Sequence, residues 1–314
     1  MQDRRCVIVA GFPRSGTSWL AKSLSFARGF TYYREPDNVD TVPGAEERFR
    51  TLYLTRHHDD AAYRRLMTRA LTGQIATRFT MKEDSGPLVA ALGVKRGMWI
   101  AQRFPVLFFR KRHVLVKLVN ANLNLAWFSA HFPAARQVFV LRHPCGQFES
   151  WQRLGWEPDP RALLENRRLV EDHLAPFAEL LARADTFWER AGALWAATVR
   201  VVHRQTAAGD GRLIVAYEWL CADPLRRFQD LYRRLDMTWT AGAERFIRAA
   251  DTDNDLGTYS MRRPTAQQID KWIVRLSRED VDACRRFVEP FDLPYYPGFA
   301  PHVGSFAGDR AVTA

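Results

Sequence analysis

The chain has 314 residues and a formal net charge of +11 at pH 7, with 47% hydrophobic and 26% charged residues. These proportions are typical of a folded globular protein and exclude a disordered or collagen-like chain. The length fits one α/β domain with insertions, and the basic charge is compatible with a polyanionic ligand, nucleic acid, an anionic membrane or a solvated surface.

Cysteine usage and hydropathy indicate the compartment. The four cysteines, at positions 6, 145, 221 and 284, form no CxxC pair and no zinc-like spacing with histidine. The apolar run 6–10 is too short for a signal-peptide core. The longest apolar stretch, 98–109, is interrupted by polar residues and falls short of the ~18 residues of a membrane span. We therefore expect a cytoplasmic protein.

Short β-rich apolar runs alternate with longer helical patterns along the chain. The predicted strands are 5–10, 30–33, 113–118, 136–141 and 212–216. The predicted helices are 17–28, 45–72, 121–131, 145–154, 160–181, 185–208, 224–235, 241–250, 266–275 and 278–289. This alternation predicts an α/β fold with a parallel sheet wrapped by helices.

The predicted organisation is a single domain with helical insertions. We expect the domain to span residues 1–296, with a helical insert at about 59–112, and the Gly-, Ala- and Pro-rich stretch 297–314 to form a flexible tail. The insert includes aromatic and basic residues at 99–112. Three interpretations of that segment stay open: a lid over an active site, a contact with a membrane surface, and plain packed structure.

A glycine-bearing loop, GFPRSGTS at 11–18, lies between the first predicted strand and the first predicted helix. Glycines let successive N–H groups face inward, and the helix N-terminus adds partial positive charge, so such a loop can cradle a phosphate. Nucleotide triphosphatases carry Lys directly after the second Gly. Here that position is Thr17 and the cation of the loop is Arg14, which disfavours kinase chemistry but leaves a kinase-like phosphoryl-transfer enzyme as an alternative.

A second candidate anion-binding element follows the fourth predicted strand. Arg142 stands at the end of this strand, and Ser150 follows eight residues later in the next predicted helix. Open α/β sheets bind ligands at the carboxyl ends of their strands, and Ser150 comes about two turns into the helix. Both side chains can therefore reach one phosphate.

These two motifs resemble the donor site of sulfotransferases that use 3′-phosphoadenosine-5′-phosphosulfate (PAPS). The run FPRSGTSWL, 12–20, is similar to their 5′-phosphosulfate loop, in the Arg-containing form typical of carbohydrate and tyrosylprotein sulfotransferases. The run 138–144 with Ser150 resembles their 3′-phosphate element, although His143 stands where the family more often has Asp. The resemblance implies a P-loop-type fold, release of 3′-phosphoadenosine-5′-phosphate (PAP) and no metal.

The resemblance also assigns the individual donor-site residues. For the 5′-phosphosulfate loop they are Arg14, Ser15, Gly16, Thr17, Ser18 and Trp19, with Arg14 taking the place of a catalytic lysine. The run 214–220 resembles the family's late strand, which ends in a Tyr/Glu pair and brings Tyr217 to the site. The run 259–264, followed by Lys271, resembles the loop that closes over the nucleotide, so Arg262 or Arg263 is expected at the 3′-phosphate.

Glu35 and Lys117 are the candidates for the chemistry besides Arg14. Sulfuryl transfer needs a base for the acceptor hydroxyl and cations for the charge that develops on the leaving oxygen. In the resembled branch a Glu after the second strand is the usual base, which points to Glu35, and Pro36 is expected to hold Glu35 extended. Lys117 resembles the family's third-strand lysine, although the acidic-Pro pair expected after it is replaced. A solvated carboxylate and a structural lysine stay open as alternatives.

The expected partner is a hydroxyl-bearing acceptor. The branch resemblance favours a sugar or glycolipid hydroxyl over a phenol or a peptide tyrosine, and no nucleic acid is expected. A metal is disfavoured because His57 and His58 lack a third ligand and the acidic run 251–255 lacks the Gly and Glu of a calcium loop. A basic, non-catalytic protein that binds nucleic acid or a membrane stays open as an alternative, and the sequence gives no indication of the oligomeric state.

Overall fold

A computed structural model describes residues 4–42, 44–77, 113–206, 212–252 and 264–301, together with Arg96, Trp99 and Ile100. Five strands form one parallel sheet in the order β2-β3-β1-β4-β5. They are β1 Cys6–Gly11, β2 Phe30–Arg34, β3 His113–Leu118, β4 Ala135–Leu141 and β5 Leu213–Ala216. Each predicted strand is present, and the α/β prediction is confirmed.

The sheet is buried on both faces, as a parallel sheet requires. Along β1, Val7 and Val9 face the larger hydrophobic core, whereas Ile8 faces a second core on the other side. Because β1 is central and pairs in parallel with β3 and β4, its carboxyl end meets theirs at one edge. The loops that follow these strands therefore lie side by side.

Helices cover the sheet and extend beyond it. Those described are α1 Thr17–Leu24, α2 Ala61–Leu71, α3 Leu125–His131, α4 Pro144–Gln152, α5 Arg167–Leu169, α6 Ala178–Ala182, α7 Phe187–Thr206, α8 Tyr217–Ala222, α9 Pro224–Arg234, α10 Ala241–Thr252, α11 Gln267–Asp270 and α12 Arg278–Val288. Within the described ranges, no helix is long and apolar enough to cross a lipid bilayer.

Three predicted helices differ from the structure. The prediction 45–72 is wrong because only a 3₁₀ turn and α2 form there; Asp60 caps α2 by accepting the Tyr63 N–H at 2.9 Å, which starts a new helix. The prediction 160–181 is wrong because Asn166 caps α5 and Pro176 lacks an N–H, leaving short 3₁₀, α and π turns. The prediction 266–275 shortens to α11, and α8 was not predicted at all.

The predicted domain boundaries stay a prediction. Within the proposed insert, α2 packs into the second core, whereas most of 78–112, including all of 99–112 except Trp99 and Ile100, lies outside the described residues. The beginning of the proposed tail, 297–301, is described, and Phe299 there is buried. These first tail residues therefore pack against the domain.

Candidate active site

A cavity of about 530 Å³ opens where the strands end. Its walls come from the loops after β1 to β4, from α4, from the start of α8 and from the segment 265–271. The predicted site residues that line it are Arg14, Gly16, Thr17, Ser18, Trp19, Glu35, Lys117, Arg142, Ser150 and Tyr217. Residues far apart in the sequence therefore share one cavity.

Three predicted site residues are not among the described residues that line the cavity. Ser15 is fully buried, and its hydroxyl donates to the Phe12 carbonyl at 2.8 Å, so this side chain closes the turn of its own loop. Arg262 and Arg263 lie outside the described residues. Their assignment to the 3′-phosphate stays a prediction.

The loop after β1 has the backbone geometry of an anion cradle. Arg14 and Gly16 have φ values of 70° and 98°, in the left-handed region, and α1 begins at Thr17. A Cβ at Gly16 would lie 2.3 Å from Cδ2 of Tyr217, so only glycine lets the loop approach this ring. The first residues of α1, Thr17 to Trp19, line the cavity, and the N–H groups of a helix N-terminus lack intrahelical partners and suit an anion.

The two predicted anion-binding elements contact each other. The Nε atom of Arg14 donates to Ser150 Oγ at 2.9 Å, and Nη1 of Arg142 donates to the Arg14 carbonyl at 3.0 Å. The guanidinium of Arg142 also lies 4.5 Å from the centre of the Tyr217 ring. The loop after β1, the residue after β4 and the last turn of α4 are therefore in direct contact.

Arg142 keeps donors available for a ligand. It is 7% exposed, and its Nε and Nη2 atoms are buried without a hydrogen-bond partner among the described residues. Buried polar groups are normally paired, and a guanidinium matches the oxygens of a phosphate. The residues present at this point therefore fit an anionic group.

Glu35 and Lys117 form a buried ion pair at the ends of β2 and β3. Lys117 Nζ lies 2.5 Å from Glu35 Oε1 and 3.0 Å from Ser18 Oγ, and Asn38 Nδ2 donates to Glu35 Oε2 at 3.0 Å. Burial opposes ionisation, but the charge and hydrogen bond of Lys117 outweigh it and hold the pKa of Glu35 below its usual value. Burial lowers the pKa of Lys117, and the Glu35 charge opposes that shift. Glu35 is therefore a carboxylate at neutral pH.

The expected extended conformation of Glu35 is wrong. Its φ is 55°, in the left-handed region, because its N–H still donates to the Lys117 carbonyl at 2.8 Å while its carbonyl accepts from the Asn38 N–H at 3.1 Å in the following turn. Pro36 disfavours the right-handed helical region for the preceding residue, and here the left-handed region is adopted instead. The side chain nevertheless lines the cavity.

Asp37 ties the loop after β2 to the loop after β3. It is fully buried, and its Oδ2 accepts the N–H groups of Val119 at 2.9 Å and Asn120 at 2.6 Å. Burial raises its pKa from the usual 3.8 to about 7; the two N–H donors oppose the rise, and the neighbouring Glu35 charge adds to it. Asp37 thus fixes the backbone that continues from Lys117.

We expect the Asp37→Asn protein to gain stability relative to the wild type as pH rises. The folded wild type keeps a proton that the unfolded chain releases between pH 3.8 and about 7, so its stability falls across that window. The unfolding free energy of the Asp37→Asn protein minus that of the wild type should rise by about 1.4 kcal/mol per pH unit within this window and level off above the window.

Denaturant unfolding from pH 5 to 8 measures this difference. Asp159→Asn is the matched control, because Asp159 is exposed and its Oδ1 also accepts two backbone N–H groups, from Arg161 at 3.1 Å and Ala162 at 3.3 Å. Parallel pH profiles for the Asp37→Asn and wild-type proteins would contradict the raised pKa.

Sequence reasoning missed several residues on the cavity wall. Five of them, Arg34, Asn38, Asp40, Thr41 and Trp156, line the same cavity as Glu35, and we call them the second wall group. All but Trp156 lie close to Glu35 in the sequence, so their position at the end of a predicted strand could have identified them. No local sequence pattern identifies Trp156. Pro13, Val119, Thr265, Gln268 and Lys271 complete the wall. Lys271 follows the run predicted to close over the nucleotide.

In the described ranges, no cluster of three or more His, Cys, Asp or Glu side chains is arranged to hold a metal ion.

The sequence matches a known family. The model of the sulfotransferase family matches residues 6–241, which is most of the chain. The chain therefore belongs to the sulfotransferase family. A comparison with curated protein sequences finds no match.

Similar solved structures cover nearly the whole chain at low identity. A mouse sulfotransferase complexed with PAP is 11% identical, with 98% of this chain and 88% of that chain covered and a TM-score of 0.47. The sulfotransferase domain from the curacin biosynthetic pathway is 13% identical, with coverages of 93% and 99% and a TM-score of 0.47. The sulfotransferase domain of the Synechococcus PCC 7002 olefin synthase is 17% identical, with coverages of 94% and 98% and a TM-score of 0.44.

Proposed function

We propose that the protein transfers the sulfuryl group of PAPS to an acceptor hydroxyl by in-line displacement and releases PAP. The observation that carries the proposal is the single cavity in which an anion-binding loop with Arg14 adjoins a second cationic element, Arg142 with Ser150. Membership of the sulfotransferase family supports the same activity. PAPS has two phosphate-bearing ends, which match the two elements.

The donor would be held at both ends by groups already in place. The 5′-phosphosulfate fits the N–H groups of the loop after β1 and the hydroxyls of Thr17 and Ser18. The 3′-phosphate fits the unpaired Nε and Nη2 donors of Arg142, with Ser150 in the same cavity wall. A nucleotide without a 3′-phosphate would leave those donors unpaired, which is the basis of selectivity for PAPS.

Glu35 would act as the base. Its carboxylate accepts the proton of the acceptor hydroxyl as the new S–O bond forms and the bond to the bridging phosphate oxygen breaks. Arg14 and Lys117 would stabilise the negative charge that develops on this leaving oxygen. Lys117 contacts both Ser18 of the loop and Glu35, so it links the donor side of the cavity to the base.

The favoured acceptor is a sugar or glycolipid hydroxyl, one of the acceptor types of the carbohydrate and tyrosylprotein branch that the Arg14 loop resembles. The second wall group includes a guanidinium, an amide, a carboxylate and a hydroxyl, and Trp156 is 37% exposed. These polar groups suit a polyhydroxylated ligand better than an apolar phenol. The polar character of these side chains is therefore the support for a sugar acceptor.

The first test is calorimetric titration with PAP, AMP and ATP in the absence of metal. We expect PAP to bind and AMP to bind much more weakly, because AMP lacks the 3′-phosphate. If PAP fails to bind whereas ATP binds with Mg²⁺, the protein is a phosphoryl-transfer enzyme instead. PAPS would then be incubated with simple sugars, glycolipids, phenols and tyrosine peptides, and PAP release and sulfated product would be measured by mass spectrometry.

A further inference from the structure

A buried hydrogen-bonded group lies behind Arg142 and joins three separate parts of the chain. Glu218, the second residue of α8, is fully buried. Its Oε1 accepts the backbone N–H of His143 at 3.0 Å, and its Oε2 accepts the Tyr296 hydroxyl at 2.7 Å. Since His143 directly follows Arg142, Tyr296 is connected to the backbone of Arg142 through one carboxylate.

The same C-terminal part of the chain encloses the ring of His143. The ring stacks on Trp272 with centroids 4.4 Å apart and meets the edges of Tyr296 and Phe299 at 5.0 Å and 4.6 Å. His143 Nε2 lies 3.2 Å from the Phe299 carbonyl oxygen, which can only accept, so Nε2 carries the proton. Burial lowers the pKa of His143 to about 3, and the ring is neutral at physiological pH. We call Trp272, Tyr296 and Phe299 the C-terminal clasp.

The backbone of the clasp is bent to make these contacts. Tyr296 and Phe299 have φ values of 55° and 58°, in the left-handed region that non-glycine residues rarely adopt. Each such residue costs about 1 kcal/mol or more and persists where its surroundings determine it. The bend brings the Tyr296 hydroxyl and the Phe299 carbonyl to the same neighbouring pair, Glu218 and His143.

Few contacts fix the side chain of Arg142, so its position depends on the backbone that carries it, which Trp195 Nε1 also holds by donating to the Arg142 carbonyl at 2.9 Å. Its Nη1 donates to the Arg14 carbonyl, its Nε and Nη2 have no partner among the described residues, and its guanidinium lies over Tyr217, the neighbour of Glu218. A Cβ at Gly146 would lie 3.2 Å from Trp272 Cδ1 and 3.3 Å from Arg142 Nε, so Trp272 of the clasp and the guanidinium both adjoin Gly146. The clasp lies beyond residue 241, where the match to the family ends.

We infer that the C-terminal clasp positions Arg142 for the 3′-phosphate, and that the Tyr296 hydroxyl raises the affinity for this group by holding Glu218 and His143 in place. The inference rests on the proposed function, since it takes Arg142 as the ligand of the 3′-phosphate. Tyr296 is absent from the described cavity wall, so it acts through Arg142 and Tyr217 and is a positioning residue.

The test is the affinity of Tyr296→Phe for PAP by calorimetry and for AMP by competition against PAP. We expect PAP binding to weaken about fivefold to tenfold, because one hydrogen bond to a buried carboxylate is lost, with AMP binding unchanged. Tyr295→Phe is the matched control: Tyr295 is the buried neighbour, and its hydroxyl lies 3.1 Å from His203 Nδ1 on α7. This control should bind both nucleotides as the wild type does.

A second arm places Tyr296→Phe in an Arg142→Lys background. If Tyr296 acts through the guanidinium of Arg142, adding Tyr296→Phe to the Arg142→Lys protein weakens PAP binding little beyond the loss that Arg142→Lys causes alone. Unchanged PAP affinity in Tyr296→Phe, or an equal loss for PAP and AMP, would overturn the role of the clasp while leaving the proposed function intact. A wild-type protein that fails to bind PAP would overturn the proposed function, and the inference would fall with it.

Discussion

The Glu35→Gln protein is expected to turn over PAPS about 10²–10⁴-fold more slowly than the wild type while binding PAP with unchanged affinity. Glutamine keeps the size of the side chain, and its one carbonyl oxygen can still accept from Lys117, but it cannot take a proton from the acceptor hydroxyl. Turnover is measured as PAP release with an acceptor on which the wild type is active. The loss should appear in kcat, since the group acts in the chemical step.

The pH dependence gives a second signature of Glu35. Lys117 holds the pKa of Glu35 below its usual value, so the wild type keeps the carboxylate form through neutral pH and loses activity only as the medium becomes acidic enough to protonate it. The Gln variant should lack the part of the acid limb that Glu35 causes.

Glu149→Gln is the control for the removal of a buried, ion-paired carboxylate. Glu149 is 3% exposed and pairs with Arg153 and Arg275, both at 2.8 Å, but it is absent from the described cavity wall. Its turnover should stay close to that of the wild type. Wild-type turnover in the Glu35→Gln protein would exclude Glu35 as the base.

The Arg142→Ala protein is expected to bind PAP about 10–100-fold more weakly than the wild type, with AMP affinity nearly unchanged. The difference arises because Arg142 offers its free donors to the 3′-phosphate, which AMP lacks. Arg142→Lys, which keeps the charge but not the planar fork of donors, should lose less. Calorimetry with both nucleotides measures these differences.

Arg200→Ala is the control that shows how the removal of a packed arginine away from the cavity affects nucleotide binding. The Arg200 guanidinium lies 4.7 Å from the Phe177 ring centre, and its Nε donates to the His173 carbonyl at 3.0 Å. These contacts resemble those of Arg142, but Arg200 does not line the described cavity. Equal losses for PAP and AMP in Arg142→Ala would assign Arg142 to the stability of the fold instead.

The predicted site residues that line the cavity are those with a local sequence pattern. Arg14 lies in a strand-loop-helix motif and Arg142 at the end of an apolar strand, and parallel strands bring both to one edge of the sheet. The conformation of Glu35 could not be read in this way, because it depends on the hydrogen bond from its N–H to the Lys117 carbonyl across the sheet. Local pattern therefore identified the base candidate but not its backbone.

The supporting residues were missed because their partners are distant in the chain. Asp37 accepts from Val119 and Asn120, and Tyr296 donates to Glu218, contacts that exist only after the chain has folded. The helix predicted at 160–181 failed for a local reason instead, since a capping Asn166 and a proline interrupt the apolar periodicity. Periodicity predicts which faces are buried, but single capping residues decide where helices break.

The contact between Gly16 and Tyr217 has a consequence for how the protein can evolve. The same aromatic ring leaves no room for a side chain at position 16 and carries the guanidinium of Arg142. A substitution at Tyr217 therefore disturbs the packing at both Gly16 and Arg142. We expect the three residues to be inherited as a unit. Under the proposed function, the second wall group can diverge one residue at a time and so provide new acceptor preferences on an unchanged donor site.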